Sequence, residues 1–210
     1  MDLIVSPAVL IPRPETEHVI EAVVELQASG FGLQASGKAK SALRVVDVGA
    51  GSGAIALALA KELPNAEIHA TDISAAALEI ARANAARHQS ERRIHFHQTD
   101  VLAGLEGEFD FIVSNPPYVG EAEKDTVQLE VRKFEPRNAV FAGANGTEVI
   151  ARLIPQARAI LRPGGWLIME ISGTIADEVR RLLDEWDEVQ IKADLQSIPR
   201  VAIARRRRRD

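Results

Sequence analysis

The 210 residues contain no cysteine. That removes disulfides, thiolate nucleophiles and cysteine metal sites from consideration, and it is compatible with the cytosol. The first ten residues lack a basic stretch followed by an apolar one, and no later run reaches the roughly 18 apolar residues of a membrane span. The expectation is a cytoplasmic protein with no membrane partner. Positive charge is not in excess either: 25 Lys and Arg face 30 Asp and Glu, for a formal net charge of -5. This argues against a surface built mainly for nucleic-acid phosphate and favours a protein partner or a small ligand. No internal repeat is visible. A chain of this length with 46% hydrophobic residues can fill one full core, most simply that of one domain.

What is present is an alternation of strand and helix signals. Residues 1–28 read as an extended, proline-punctuated leading segment followed by a first helix, with Pro14 at its opening turn and Glu15 and Glu17 favoured there by the helix dipole. Residues 29–42 are rich in Gly, Ser and Ala and read as a flexible loop. Residues 43–204 hold the main domain. Strands are expected at 43–48, 68–71, 94–97, 109–113 and 166–171, with weaker ones near 189–193 and 200–204. Helices are expected at 55–63, after Ser74, at 149–161 with a stop at Arg162-Pro163-Gly164-Gly165, and from Ile175 to Trp186. Strands separated by helices predict an α/β fold, a Rossmann-like, mostly parallel sheet covered on both faces. Residues 119–145 are too long and too charged for a simple connector and read as a lid. Residues 205–210, with Arg205 to Arg209 in a row, read as a solvated basic tail. A weak contact of this tail with RNA or the ribosome is its alternative.

The first chemical signal is Asp47-x-Gly49-Ala50-Gly51-Ser52-Gly53, a tight turn between a strand and a helix. Missing Cβ atoms let backbone come close to a ligand there. The dinucleotide fingerprint would need glycine where Ala54 stands, and no Lys-Ser/Thr phosphate loop follows, so neither NAD nor a nucleotide triphosphate is indicated. Asp72 closes the next strand, where a carboxylate can accept from both hydroxyls of a ribose. Asp100 closes the third and could accept from an adenine amine, although a helix cap or turn is its structural alternative. All three features fall at the carboxyl ends of neighbouring strands, where ligands bind in such sheets.

The second signal is Asn115-Pro116-Pro117-Tyr118, just past the apolar strand that ends at Val113. Two prolines stop the strand and stiffen the loop. Its useful groups are the Asn115 side-chain oxygen and the Pro116 carbonyl, both acceptors, beside the flat Tyr118 ring. Two acceptors and a ring suit a planar NH2 group. Arg13, between Pro12 and Pro14, is aimed by a rigid segment and is a candidate for substrate binding. His95 and His97 share a strand face without further ligands and read as structural, so no metal is expected.

Together, Val45 to Gly53, Asp72 and the Asn-Pro-Pro-Tyr loop resemble the S-adenosylmethionine-dependent methyltransferases that modify planar NH2 groups. Leu10-Ile11-Pro12-Arg13-Pro14-Glu15-Thr16-Glu17, Phe134-Glu135-Pro136-Arg137, Phe141-Ala142-Gly143 and Asp194-Leu195 … Pro199-Arg200 are similar to segments of the HemK-like release-factor glutamine methyltransferases, and the likeness runs from Val5 to Arg205. The resemblance implies a class I fold with seven strands, the last antiparallel. It implies S-adenosylmethionine as donor, leaving S-adenosylhomocysteine as product, and peptide chain release factors as partners, the acceptor being the glutamine of their Gly-Gly-Gln tip. Carried over, Gly49, Ala50, Gly51, Ser52, Gly53, Asp72, Asp100, Val101 and Asn115 would hold the cofactor, and Asn115, Pro116, Pro117 and Tyr118 the glutamine amide. The family usually has a small helical domain ahead of the leading segment, so a catalytic domain on its own is expected here. Two other readings stay open: an adenine-N6 methyltransferase on DNA or RNA, and a non-catalytic S-adenosylmethionine-binding protein.

Overall fold

The computed structural model describes residues 1–30 and 42–208. Most of the stretch expected as a flexible loop, residues 31–41, and the last two residues of the basic tail therefore lie outside the described part. Pro14–Thr16 forms a 3-10 turn that leads into α1 (Glu17–Ala28). Then come β1 (Arg44–Val48), α2 (Ala54–Glu62), β2 (Glu67–Asp72), α3 (Ala75–Arg87), β3 (Ile94–Gln98) and β4 (Phe109–Ser114). A run of short pieces follows: β5 (Val119–Gly120), a 3-10 turn, α4 (Leu129–Phe134), α5 (Arg137–Val140) and β6 (Phe141–Gly143). The chain closes with α6 (Glu148–Ile160), β7 (Leu161–Glu170), α7 (Ala176–Leu182), β8 (Asp187–Ala193) and β9 (Pro199–Arg205).

Seven strands make one sheet in the order β3-β2-β1-β4-β7-β9-β8, and β5 pairs with β6 in a separate ribbon. The pairs from β3 to β7 are parallel, while β9 runs antiparallel to both neighbours. The central strands are apolar on both faces because both faces are covered. Val45, Ile68, Phe111 and Ile168 pack under α1, α2 and α3. Val46, Ile112, Leu167 and Ala202 pack under α6 and α7. The order of strands reverses direction beside β1, so the crevice for a ligand opens above the carboxyl ends of β1 and β4.

Two features depart from the sequence reading. The helix ends before Arg162-Pro163-Gly164-Gly165 as expected, at Ile160, but that segment is already strand: β7 starts at Leu161 and not at Trp166, and its pairing with β4 slips between Phe109 and Phe111. An irregular pairing accommodates Pro163, which has no N–H to give, and Gly164 takes φ +81°. The buried carboxylate of Asp110 fastens this corner by accepting from the Arg44 backbone N–H at 2.7 Å and pairing with Arg162 at 2.7 Å.

The second correction concerns the basic run. Arg205 is the last residue of β9, 7% exposed, paired to Glu188 at 2.5 Å and lying 5.4 Å from the Trp166 ring centre. Arg206 continues the ladder with Gly164 and Gly165 through its backbone, and Arg207 pairs with Asp187. The charge run thus begins inside the sheet. Its stems have apolar surface and acidic partners on β8 to settle on.

Candidate active site

The turn after β1 is held mainly by backbone. Gly49 and Ala50 both donate to the Thr71 carbonyl, at 2.8 and 2.9 Å, which clamps the turn to the end of β2. Gly49, Gly51 and Gly53 have φ of +73°, +53° and +82°. Any side chain would be strained there. At Gly53 a Cβ would also come within 3.2 Å of the Ala81 side chain on α3. Asp72 accepts from the Gly51 N–H at 2.9 Å through one oxygen and from the Ser74 N–H at 2.8 Å through the other. Each oxygen keeps a further lone pair, so the carboxylate remains an acceptor toward the crevice. Ser74 caps α3 as expected, accepting from the Ala77 N–H at 3.2 Å.

Below the turn lies Asp47, fully buried. One oxygen accepts from the Ala56 N–H at 3.0 Å, while the other has no partner. Burial, more than the neighbouring Asp72 charge, pushes its pKa up from 3.8 to about 7.

At the end of β3, Asp100 pairs with Arg152 of α6 through one oxygen and is about half exposed. Val101 takes φ +58°, a left-handed conformation that costs a β-branched residue about 1–2 kcal/mol. The Thr71 hydroxyl donates to its carbonyl at 2.8 Å, and the next residue, Leu102, donates to Gln156 at 3.0 Å. The strain is therefore held from two sides.

The Asn115-Pro116-Pro117 loop leaves β4 next to this turn. Ser114 is tied to β1 by its hydroxyl, which donates to the Val48 carbonyl at 2.7 Å. Asn115 Nδ2 donates to the Thr16 hydroxyl at 3.1 Å, Thr16 donates to Glu170 at 2.7 Å, and the Tyr118 hydroxyl donates to the other Glu170 oxygen at 3.1 Å. Burial of the phenol and the adjacent Glu170 charge push the Tyr118 pKa upward, so it stays protonated.

A cavity of about 330 Å³ joins these parts. The glycine turn, Asp72, Asp100, Val101, Asn115, Pro116 and Pro117 line it together. The leading segment from Ala8 to Pro12 and residues of the expected lid, among them Ala139 and Phe141, add apolar walls. A volume of this order suits a small organic ligand. Tyr118 lies behind the wall, holding Glu170.

Arg13 does not join this cavity. It pairs with Glu135 at 2.5 Å and lines a second groove between the leading segment and α4. The Glu135 side chain is 4% exposed, and burial raises its pKa against the pull of Arg13. The guanidinium thus closes a contact between the leading segment and the end of α4. His95 and His97 stand away from the cavity, the His97 ring stacked on His69 and the His95 ring tilted against it. Among the described residues no three His, Asp or Glu side chains are arranged to hold a metal ion.

Sequence reasoning overlooked three residues. Thr16 and Glu170 hold Asn115 from 99 residues upstream and, through Thr16, from the end of β7. Asn84 on α3 is wholly buried and accepts from the Ile4 N–H at 2.6 Å. It donates to the Ile4 and Ser52 carbonyls, both at 2.9 Å, and so ties the leading segment to the glycine turn. A buried asparagine on the apolar face of a helix pattern was the available signal.

Comparison with known proteins agrees with this geometry. Residues 32–134 match the family model described as "Methyltransferase small domain". A release factor glutamine methyltransferase of Koribacter versatilis is 50% identical over 98% of this chain, which spans 70% of that relative. One from Rhodopirellula baltica is 41% identical over 94% of the chain, spanning 66% of its length. Among solved structures, a ribosomal protein L11 methylase from Lactobacillus delbrueckii subsp. bulgaricus superposes with a TM-score of 0.63 at 25% identity. That match covers 97% of this chain and 83% of the other.

Proposed function

The chain belongs to the release factor glutamine methyltransferase family, and from that membership we propose how its cavity does the family's chemistry. The methyl donor is S-adenosylmethionine, and the acceptor is the side-chain amide nitrogen, N5, of the glutamine in the Gly-Gly-Gln tip of a peptide chain release factor. The setting is the cytoplasm; no helix among the described residues is long and apolar enough to cross a membrane. One observation carries the reading: the glycine turn and the Asn115-Pro116-Pro117 loop face a single cavity from adjacent strand ends.

When bound, S-adenosylmethionine supplies an electrophilic methyl group. The residues present suit its nucleoside. Gly49 and Gly51, both left-handed and both on the cavity wall, leave no side chain between backbone and ligand, while Gly53 lets the turn pack against Ala81 of α3. Asp72 would accept from the ribose hydroxyls, and Asp100, through the oxygen that Arg152 leaves free, together with the Val101 backbone would take the adenine edge.

The chain's own task is to present a poor nucleophile. The lone pair of an amide nitrogen is delocalised into its carbonyl. Asn115 Oδ1 and the Pro116 carbonyl each take one N–H of the glutamine side chain, which fixes its orientation. Both bonds strengthen as positive charge develops on nitrogen during transfer. The two prolines keep these oxygens in place without a hydrogen-bonded backbone. Reaction then needs the nitrogen held about 3–3.5 Å from the methyl carbon; the carbon–sulfur bond pair goes with S-adenosylhomocysteine, and the nitrogen sheds one of its two protons to solvent as the N-methyl amide forms. Arg13 makes no contact with the carboxamide in this scheme; it steadies the 128–140 segment through Glu135.

The test is transfer of labelled methyl from S-adenosylmethionine to purified release factor, with DNA and RNA offered in parallel. Label on the release factor, lost when its Gly-Gly-Gln glutamine is replaced, is expected. Label in nucleic acid alone would favour an adenine-N6 activity, and label nowhere would leave a binding protein without catalysis.

A further inference from the structure

Asn115 can serve as an acceptor only if its carboxamide sits the right way round, since the same side chain turned over offers two donors to an incoming NH2 group. The residues around it decide the matter. Glu170 is 2% exposed, and its two oxygens receive the Thr16 hydroxyl at 2.7 Å and the Tyr118 hydroxyl at 3.1 Å. An ionised carboxylate accepts and cannot donate. Each hydroxyl therefore commits its single proton to Glu170, and toward Asn115 the Thr16 oxygen has only lone pairs. The Asn115 arm at 3.1 Å from that oxygen must be the NH2 group, which leaves the carbonyl arm for the cavity that Asn115 lines.

We propose that Thr16 and Glu170 are positioning residues that set the direction of the Asn115 carboxamide, so that its oxygen meets the substrate amide. The inference rests on Asn115 being the acceptor in the scheme above. Neither residue need touch the reacting atoms; the order passes from carboxylate to hydroxyl to amide. The device depends on charge. Burial raises the Glu170 pKa, and nearby Glu15 raises it further, while the Thr16 and Tyr118 hydroxyls and the charge of Arg200 pull it down. Once protonated, Glu170 carries a hydrogen that it can give to Thr16, and the Thr16 proton is then free to turn toward Asn115.

Three variants separate direction from mere packing. Thr16→Val keeps the shape and loses the hydroxyl, Thr16→Ser keeps the hydroxyl, and Glu170→Gln keeps the shape but can donate. Thr16→Val and Glu170→Gln are expected to lower kcat at least about tenfold, with the Kd for S-adenosylmethionine little changed; the melting temperature falls in the valine variant, which strips Glu170 and Asn115 of a buried partner, while Thr16→Ser stays near the parent in both. The parent should lose kcat on the acid side, and Glu170→Gln should lack that pH dependence. Equal turnover in all four proteins, or a serine variant as poor as the valine one, would overturn the proposal.

A second measurement needs no acceptor. In the parent chain one Asn115 Nδ2 proton should exchange slowly with solvent by NMR, and that protection should vanish in Glu170→Gln. Protection unchanged by the substitution refutes the device. Protection lost as expected, in a protein that labels no release factor, upholds it and sinks the reading of the substrate.

Discussion

The two halves of the cavity are made differently. On the cofactor side the bonds that shape the site are mostly backbone to backbone or backbone to side chain, and around the glycine turn they join residues within about thirty positions: Gly49 to Thr71, Gly51 to Asp72, Ser52 to Asn84, Val101 to Thr71; only at Asp100 to Leu102 do partners come from further, on α6. On the acceptor side the shaping bonds run between side chains across 99, 154 and 52 positions. A turn that presents backbone to a ligand can be written in a few closely spaced glycines. A side-chain oxygen that must point one way needs partners on other elements, and the fold has to bring them there.

Asn115→Ala should break the comparison most sharply, because it removes an acceptor-side oxygen and leaves the glycine turn intact. Turnover is expected to fall by a factor of 10²–10³, about 2.7–4 kcal/mol in activation free energy, the range found when one aimed polar group is deleted from a site. S-adenosylmethionine affinity, measured by calorimetry, should change far less. Equal losses in both would mean that the halves are not separable.

The mirror experiment is Gly53→Val. The left-handed φ of +82° and the 3.2 Å approach to Ala81 penalise any side chain there, at about 1–3 kcal/mol for the backbone alone. Cofactor affinity should drop at least tenfold and the melting temperature should fall. Residual turnover at saturating cofactor should be closer to the parent than that of Asn115→Ala.

This division explains what could be read in advance. The sheet, its covering helices, and the placement of the glycine turn, Asp72 and the Asn-Pro-Pro-Tyr loop were legible because apolar periodicity and turn chemistry are local signals. Thr16 and Glu170 were not, since a threonine at a helix start and an acid at a strand end carry no mark of meeting each other. Arg13 was noticed for its rigid setting, yet rigidity gives no direction, and its partner Glu135 lies 122 positions away. Arg205 was assigned to a solvated tail because a charge run looks alike whether it is free or half folded. Only the antiparallel pairing of β9 with β7 and β8 brings Trp166 and Glu188 alongside it.

Asn84 is where the two styles meet, a single side chain bonded to both the leading segment and the turn. Asn84→Ala would leave the Ile4 N–H and the Ile4 and Ser52 carbonyls without their buried partner. A loss of about 1–3 kcal/mol per group that stays unsatisfied is expected, less wherever water enters. Hydrogen exchange should locate the loosening in residues 3–9 and in the turn. A loss of stability confined to α3 would show that the leading segment docks without it.

A change of pH tests whether the locally built half carries a cost of its own, with no effect on turnover needed to see it. Asp47 has a folded pKa of about 7 against 3.8 for an ordinary aspartate, so folding takes up a proton between those values. The stability this group gives is therefore complete below about pH 4, declines as pH rises to about 7, and changes no further above that. Asp47→Asn, which keeps an acceptor for the Ala56 N–H but cannot ionise, should lack this slope. Relative to the parent it should gain on the order of 1–4 kcal/mol between pH 4 and pH 8, read from denaturant midpoints. A difference independent of pH would place the Asp47 charge in a polar setting, and the cofactor turn would then rest on a base as well satisfied as the network behind Asn115.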